Sequence, residues 1–222
     1  MTKVVVFDLD DTLFPEYQFV LSGFHAVSEW VLNKYAVTGF YATAKTLFKQ
    51  GFRGNVFNTA LSELNVNYDT PLIEEIVKVY REHKPNITLY EDAQWAIDFF
   101  RTNTRLGIIT DGYLMTQQNK VASLGIEAMV DTIVYSDAFG RKCWKPSKVP
   151  YLKLMRNLGC TGNRCFYIGD NPKKDFVEAK KLGWKTVRIC REEGEYSHLF
   201  CDKAHEAHYT INSLFQLREI VI

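Results

Sequence analysis

The pattern of apolar and polar residues divides the chain into three segments, of which the first is a single strand. After Lys3, residues 4–7 form an apolar run rich in valine, which is typical of a strand buried on both faces. The run ends in three acidic residues, Asp8, Asp10 and Asp11. Because carboxylates at this density cannot continue a buried strand, we expect the chain to leave the sheet at Asp8.

The second segment, residues 15–86, carries apolar residues at helical spacing and contains no convincing strand. Phe24, Val27 and Val31 illustrate the spacing of three to four residues that favours an amphipathic helix. Predicted helices cover residues 16–34, 39–49, 56–64 and 71–83. The segment therefore predicts a small all-helical domain.

The third segment, from residue 87 onward, alternates helices with short strands. Strands are predicted at residues 105–109, 132–135, 165–168, 185–189 and 209–211. Helices are predicted at residues 92–100, 114–124, 150–158, 173–182 and 213–220. Such alternation is typical of a parallel sheet with right-handed crossovers. We expect an α/β core of Rossmann-like type formed by residues 1–14 and 87–222, with the helical domain of residues 15–86 inserted in it.

Composition and charge narrow the class of protein. The 222 residues are 46% hydrophobic and carry a net charge of +1. The absence of a basic stripe argues against nucleic acid or an anionic membrane as the main partner. No apolar stretch approaches the roughly 18 residues of a transmembrane helix, and we expect no secretory signal before the first strand. We expect a cytoplasmic protein that is monomeric by default.

The five cysteines are scattered and include no C-x-x-C pair. This usage is typical of reduced thiols in the cytosol. Cys201, His205 and His208 have a spacing that a zinc site could use. Because no fourth ligand is evident, we favour ordinary surface residues for these three.

Polar side chains follow four of the predicted strands at the point where each strand ends. They are Asp8 and Asp10; Thr110, Asp111 and Gly112; the cations Arg141, Lys142 and Lys145; and Gly169, Asp170 and Asn171, followed by Asp175. Parallel sheets bind ligands at the carboxyl ends of their strands, so we expect one site here. Carboxylates that lie close together favour a cation between them, and oxygen ligands suit Mg²⁺.

These motifs, in this order, resemble the haloacid dehalogenase superfamily, in particular its phosphatase branch. The matching residues are Asp8-Leu9-Asp10-Asp11-Thr12, Thr110, Lys145-Pro146, Gly169-Asp170 and Asp175. The resemblance implies that the inserted helical domain is a cap. It also implies Mg²⁺-dependent hydrolysis of a small phosphomonoester, such as a sugar phosphate, an acylneuraminate phosphate or a nucleotide, through an aspartyl-phosphate.

The resemblance also implies a role for each matching residue. Asp8 is the expected nucleophile, and Asp10 is the expected general acid and base. The implied metal ligands are Asp8, Asp170, Asp10 through its backbone carbonyl, and Asp175, which either ligates or orients. The implied contacts of the phosphoryl group are Thr110, Asp111, Gly112, Lys145 and Asn171.

Several alternatives stay open at this level. Arg141 and Lys142 compete with Lys145 for the cationic role, and the proline after Lys145 favours Lys145. Arg53, in a turn between two glycines of the helical segment, is a candidate contact for the leaving group; an exposed arginine is the alternative.

The alternative functions are a phosphomutase or phosphotransferase, a dehalogenase and a non-catalytic binding domain. The acid at Asp10 argues against the dehalogenase, and the complete set of motif acids argues against a retired enzyme.

Overall fold

The computed structural model describes residues 2–222, which form two compact units. The first, here called the core unit, contains the residues up to Glu16 together with Thr88–Ile222. The second, the helical unit, is Tyr17–Ile87. None of the helices in residues 2–222 combines the length and the apolar character needed to cross a bilayer.

The core unit contains one six-stranded parallel sheet. The strands are β1 (Val4–Phe7), β2 (Arg105–Thr110), β3 (Thr132–Tyr135), β4 (Cys165–Gly169), β5 (Lys185–Ile189) and β6 (Tyr209–Ile211). The helices of the chain are α1 (Glu16–Tyr35), α2 (Phe40–Lys49), α3 (Val56–Glu63), α4 (Thr70–Glu82), α5 (Glu91–Phe100), α6 (Leu114–Leu124), α7 (Val149–Leu158), α8 (Val177–Lys181) and α9 (Leu217–Val221). The strand order is β3-β2-β1-β4-β5-β6, and the predicted α/β fold class is confirmed.

Strand β1 lies between β2 and β4, and its four residues are at most 1% exposed. Phe7, its last residue, pairs with Ile108 of β2 and with Ile168 of β4. The amide of Asp8 then donates to the carbonyl of Ile168 at 2.8 Å. This register brings the ends of the three strands side by side, so the residues that follow them reach one edge of the sheet.

Two predicted helices are shorter in the structure than the pattern indicates. Instead of a helix over residues 173–182, the chain forms a turn, and α8 begins only at Val177. The carbonyl of Asn171 accepts from the amide of Asp175 at 3.0 Å, which closes this turn. The predicted helix over residues 213–220 is a 3₁₀ turn followed by the short helix α9.

Three buried aromatic side chains pack together next to the loop that carries Asp175: Tyr151 of α7, Tyr167 of β4 and Trp184. The ring centroids of Tyr151 lie 5.4 Å from Tyr167 and 5.5 Å from Trp184. The Tyr151 hydroxyl donates to the backbone carbonyl of Asp175 at 2.8 Å. Buried rings whose polar atoms are satisfied form a rigid support, so the cluster fixes the loop that carries Asp175.

The helical unit has an apolar core of its own, built by α1 to α4. Tyr80 of α4 packs against Phe19 and Phe57, with ring centroids 5.4 and 5.3 Å away. Gly23 of α1 permits this approach, because a Cβ there would lie 2.4 Å from the Tyr80 ring. Helix α4 is capped by Asp69. The unit therefore holds its helices together with its own side chains.

Candidate active site

A cavity of about 230 Å³ lies at the carboxyl edge of the sheet, and all of its lining belongs to the core unit. The lining residues are Asp8, Asp10, Glu16, Asp111, Gly112, Trp144, Lys145, Asp170, Lys174 and Tyr196. Five of these side chains are carboxylic acids and two are lysines. The cavity therefore carries an excess of acidic groups, whereas the whole chain is nearly neutral.

Lys145 and Asp8 form a buried ion pair, with Lys145 Nζ 2.6 Å from Asp8 Oδ1. The same ammonium lies 2.8 Å from Asp175 Oδ1 and donates to the Tyr167 hydroxyl at 2.8 Å. Burial alone would lower the pKa of Lys145, but the carboxylates of Asp175 and Asp8 raise that pKa well above its ordinary value. Lys145 is consequently a fixed positive charge beside Asp8.

Asp8, Asp170 and Asp175 form a group that could hold a metal ion, since one ligand atom of each lies within 4.8 Å of the others. Burial raises the pKa of Asp8 to about 6, although Lys145 lowers it and Asp175 adds to the rise. Burial also raises the pKa of Asp170 well above its usual range, and the charges of Asp175 and Asp8 add to this. Lys145 and the nearby Lys174 compensate only part of three buried carboxylates, so the group favours a further cation.

Asp175 is fully buried, and both of its carboxylate oxygens have partners. Oδ1 faces Lys145, and Oδ2 accepts from the amide of Asn171 at 2.9 Å. Gly169 makes room for this side chain, because a Cβ there would lie 2.5 Å from Asp175 Oδ2. These contacts favour the orienting role of Asp175 over direct metal ligation.

Asp10 is held by two residues of α6 that the sequence pattern alone does not single out. Lys120 Nζ lies 2.6 Å from Asp10 Oδ1, and Gln117 Nε2 donates to Asp10 Oδ2 at 2.8 Å. Both side chains are buried, at 3% and 1% exposure. Their signal in the sequence is weak: two polar residues three positions apart on the helix that follows the second motif.

The loop after β2 brings Thr110 and Gly112 to the same edge. Gln117 Nε2 donates to the Thr110 hydroxyl, whose own proton has only a long contact of 3.5 Å to the Asp111 carbonyl. Thr110 can therefore donate that proton to a better acceptor. Gly112 has a φ of 126°, and a Cβ there would lie 3.1 Å from the Gln117 side chain, so glycine is required at this bend.

Asp111 joins this loop to the one that carries Lys145. Its Oδ1 accepts from the backbone amide of Lys145 at 3.1 Å, and its Oδ2 lies 3.4 Å from Lys174 Nζ. Burial alone would raise the pKa of Asp111, but the charges of Lys145 and Lys174 lower it below its usual range. The Asp111 side chain thus holds the two loops together. The predicted phosphate contact of Asp111 would therefore come from its backbone amide.

The other predicted site residues of the core unit, Asn171, Arg141 and Lys142, form no hydrogen bond or ion pair with Asp8 within the described residues. Asn171 is buried, and its amide oxygen accepts from the backbone of Lys173 at 3.0 Å, so its side chain stabilises the turn before α8. Arg141 and Lys142 are exposed, and the guanidinium of Arg141 stacks on Tyr113 at 4.7 Å. Of the three competing cations, the structure therefore places Lys145 against Asp8.

Arg53 belongs to the helical unit and packs onto its surface. Its Nη1 donates to the carbonyls of Phe48 and Phe52 at 3.0 and 2.9 Å, and the guanidinium lies 4.0 Å from the Phe48 ring centroid. It borders an apolar groove of about 260 Å³ within that unit. Its contact with a leaving group stays a prediction.

The possible zinc ligands near the C-terminus are engaged elsewhere. His208 Nδ1 lies 2.8 Å from the Thr186 hydroxyl, and His205 Nδ1 lies 2.8 Å from Asp202. Within residues 2–222, Cys201, His205 and His208 do not form a metal-ligating group.

Arg191, just after β5, anchors the loop that follows β1, and nothing in the sequence pattern marks it. Its Nη2 donates to the Thr12 carbonyl at 2.8 Å, and its Nη1 lies 2.7 Å from Asp92 Oδ2. The guanidinium also lies 3.9 Å from the Tyr90 ring centroid. Arg191 therefore ties the first motif to the start of α5.

Comparison with known proteins identifies this arrangement. The family model described as haloacid dehalogenase-like hydrolase matches residues 5–189. A glyceraldehyde 3-phosphate phosphatase of Methanocaldococcus jannaschii is 30% identical, covering 100% of this chain and 97% of the relative. A phosphoserine phosphatase of Thermus thermophilus is 24% identical over 85% of this chain and 89% of the relative.

The solved structures agree on the fold. YfnB of Bacillus subtilis, in a magnesium-bound form, superposes with a TM-score of 0.70 at 19% identity, covering 99% of this chain and 98% of that one. At that identity the similarity concerns the fold alone. The family match includes residues of both parts of the core unit. The curated relatives named above are phosphatases, which confirms the enzyme class expected from the motifs. The chain therefore belongs to the haloacid dehalogenase-like hydrolases and is a phosphatase of that family.

Proposed function

We propose that this protein is a Mg²⁺-dependent phosphatase that hydrolyses a small phosphomonoester through an aspartyl-phosphate on Asp8. The observation that carries the proposal is the 2.6 Å contact between Asp8 and Lys145 at the cavity, beside Asp170. A carboxylate in this position can attack phosphorus, and the fixed cation beside it stabilises the charge of a phosphoryl group. Burial raises the pKa of Asp8, whereas the charge of Lys145 favours its ionised form, which is the form that attacks.

The donor set of the acidic group suits Mg²⁺, which prefers oxygen ligands and keeps several waters. The raised pKa of Asp170 and the proximity of three buried carboxylates support this choice. We expect Asp8, Asp170 and the backbone carbonyl of Asp10 to ligate, and Asp175 to orient. When bound, the ion would neutralise charge on Asp8 and on the phosphoryl oxygens.

The proposed reaction has two steps. In the first, an oxygen of Asp8 attacks phosphorus, the bond from phosphorus to the leaving oxygen breaks, and Asp10 protonates that oxygen. In the second, a water attacks the same phosphorus while Asp10 accepts a proton from it. The bond between phosphorus and the Asp8 oxygen breaks, which releases inorganic phosphate and restores the Asp8 carboxylate. Lys145, the Thr110 hydroxyl and the amide of Gly112 hold the phosphoryl oxygens in both steps.

We propose a leaving group of about three carbons. The relatives named for glyceraldehyde 3-phosphate and phosphoserine support this size. The inserted residues 15–86 are proposed to act as a cap, with Arg53 as the contact of the leaving group.

Phosphate release from a panel of phosphomonoesters tests this proposal. The panel contains D-glyceraldehyde 3-phosphate, phosphoserine, glucose 6-phosphate and a nucleoside monophosphate, each with Mg²⁺ or with EDTA, and Asp8→Asn is the control. We expect kcat/KM for a three-carbon substrate to exceed the others by at least about tenfold, with no release in EDTA. Equal rates on all four would contradict the proposed leaving group, and full activity in EDTA would contradict the metal.

The same assay separates the alternative functions. Transfer of phosphate to an added alcohol in preference to water would indicate a phosphotransferase. Release of chloride from 2-chloropropionate without any phosphatase activity would indicate a dehalogenase. The engagement of Asp10 by Lys120 and Gln117 supports the phosphatase, because a dehalogenase has no need of an acid at that position.

A further inference from the structure

We infer that Gln117 and Lys120 of α6 are positioning residues that fix the Asp10 carboxylate relative to the phosphate-binding loop. The inference rests on the proposed function, in which Asp10 acts as acid and then as base. All the residues involved belong to the core unit. Neither residue is part of the motifs that carried the family resemblance.

Lys120 reaches Asp10 from a buried position. Its side chain is 4% exposed, its ammonium lies 2.6 Å from Asp10 Oδ1, and Glu16 Oε1 is 3.9 Å away. The ammonium also lies 5.7 Å from the ring centroid of Phe14. A buried ion pair contributes little stability beyond what well-packed apolar side chains would give. Orientation of Asp10 accounts for a lysine here better than stability does.

Gln117 has three acceptors within hydrogen-bonding distance of Nε2, among which its two N–H protons are shared. Its Nε2 contacts Asp10 Oδ2 at 2.8 Å, the Asp111 carbonyl at 2.6 Å and the Thr110 hydroxyl. Rotating the amide by 180° would place its oxygen against a carboxylate and a carbonyl, so the contacts themselves assign the nitrogen. One side chain thereby connects the loop after β1 with the loop after β2.

The oxygen of the same side-chain amide is left without a hydrogen bond in this arrangement of the described residues. Gln117 Oε1 is buried and has no hydrogen-bond partner among residues 2–222. Burying an acceptor without a partner is unfavourable, because its hydrogen bonds to water are lost and not replaced. A side chain selected for stability alone would avoid that cost, so the contacts of Nε2 point to a functional constraint.

The consequence for catalysis is a restrained carboxylate. Lys120 holds one oxygen of Asp10 and Gln117 holds the other, so rotation of the carboxylate would break both contacts. A general acid acts only when it is aligned with the leaving oxygen, and such catalysis contributes roughly 10²–10⁴-fold. Loss of either contact should remove part of this rate enhancement, and we expect kcat to fall about 10–100-fold.

The inference can be tested with two substrates, one whose leaving group must be protonated by a general acid and one whose leaving group need not be. Gln117→Leu and Lys120→Met keep the approximate shape of each side chain and remove its contact with Asp10. For both variants we expect kcat on D-glyceraldehyde 3-phosphate, or on the best alkyl phosphate of the panel, to fall about 10–100-fold. The rapid first release of dinitrophenolate from 2,4-dinitrophenyl phosphate should change less than about threefold, because that leaving group needs no proton.

The controls separate positioning from damage to the fold. Gln118→Leu changes an exposed glutamine on the same helix and should match the wild type on both substrates. In an Asp10→Asn background, Gln117→Leu should have little further effect, since residues that act through one group are not additive. If Gln117→Leu does not fold, Lys120→Met decides alone.

The possible failures are distinguishable. Equal losses on both substrates would assign Gln117 and Lys120 to the fold or to phosphate binding and would overturn the inference. Wild-type rates in both variants, with an inactive Asp8→Asn, would overturn the inference and leave the proposed function intact. A wild-type protein that hydrolyses none of the phosphomonoesters would instead overturn the proposed function.

Discussion

Lys145 illustrates how burial fixes the position of a single charged side chain. Its side chain is fully buried, and Asp8, Asp175 and Tyr167 surround its ammonium. A lysine in water samples many conformations, whereas this one is held by three oxygens in a medium where each contact is stronger than in solvent. The position of the charge is therefore fixed before a substrate arrives.

Replacing the nucleophile should abolish turnover without unfolding the protein. Asp8→Asn keeps the volume of the side chain and removes the charge that attacks phosphorus, so we expect kcat to fall by much more than 100-fold. Steady-state phosphate release and thermal melting measure the two effects. Asp98→Asn, on the exposed face of α5, is the matched control. Residual activity above about one per cent would exclude Asp8 as nucleophile.

The Asp92–Arg191 ion pair should make stability depend on pH. Burial alone would raise the pKa of Asp92, but hydrogen bonds from Arg191, Leu214 and Ser213 lower it below the ordinary value. Since the folded-state pKa is depressed, the stabilisation is complete above the unfolded value near pH 3.9. It is lost as the pH falls through the folded value.

Urea unfolding of the wild type and of Asp92→Asn measures this dependence. We expect the variant to be less stable by about 2 kcal/mol at pH 7, where a charged hydrogen-bond acceptor is lost. The difference should shrink as the pH falls below about 4. A difference that is constant between pH 7 and pH 3 would show that the charge of Asp92 does not stabilise the fold.

At the scale of elements, two short segments decide the geometry of the site. Helix α6 carries Gln117 and Lys120 three residues apart, so both face the same side and reach Asp10. The turn before α8 returns Asp175 to the sheet edge, where it holds Lys145. A longer α8 that started at residue 173 would lack this turn.

Helix α4 allows a test of local stability away from the site. The Asp69 carboxylate accepts from the amide of Leu72 at 2.9 Å, which satisfies one of the unpaired donors at the helix start. Asp69→Ala should lower stability by about 1 kcal/mol in urea unfolding, with unchanged activity. Glu74→Ala, on the exposed side of the same helix, should have a much smaller effect. Equal effects of both changes would argue against the cap.

At the scale of the whole molecule, the fold concentrates acidic groups at one edge of a nearly neutral protein. The chain has a net charge of +1, yet five of the ten residues around the cavity are acids and two are lysines. The parallel sheet causes this concentration, because it directs the end of every strand to the same side. Repulsion among these groups is a cost of folding that a bound cation can relieve.

Mg²⁺ should therefore stabilise the entire protein. A ligand that binds only the folded state at 100 times its Kd adds about 2.7 kcal/mol, which corresponds to a rise in Tm of roughly 5–10 °C for a chain of this length. Thermal melting with and without Mg²⁺ measures the rise. Asp170→Asn removes a proposed ligand and should abolish most of it. An identical rise in that variant would place the ion elsewhere.

Local patterns along the chain are sufficient to predict the α/β core and the loops proposed to form the site. The apolar run before Asp8 and the alternation of helices and strands are local patterns, and a parallel sheet follows from them. The order of the motifs then indicated the family and the residues Asp8, Asp10 and Asp170. These predictions depend on spacing along the chain, which is visible without a structure.

Which side chains meet across the carboxyl edge of the sheet depends on tertiary packing. Gln117 and Lys120 contact Asp10 from more than 100 residues away, and Arg191 contacts Thr12 across 179 residues. Such partners are set by the packing of α6 and β5 around the first loop, and no local pattern encodes them. The same holds for the choice of Lys145 over Arg141, because burial against Asp8 is a property of the folded chain.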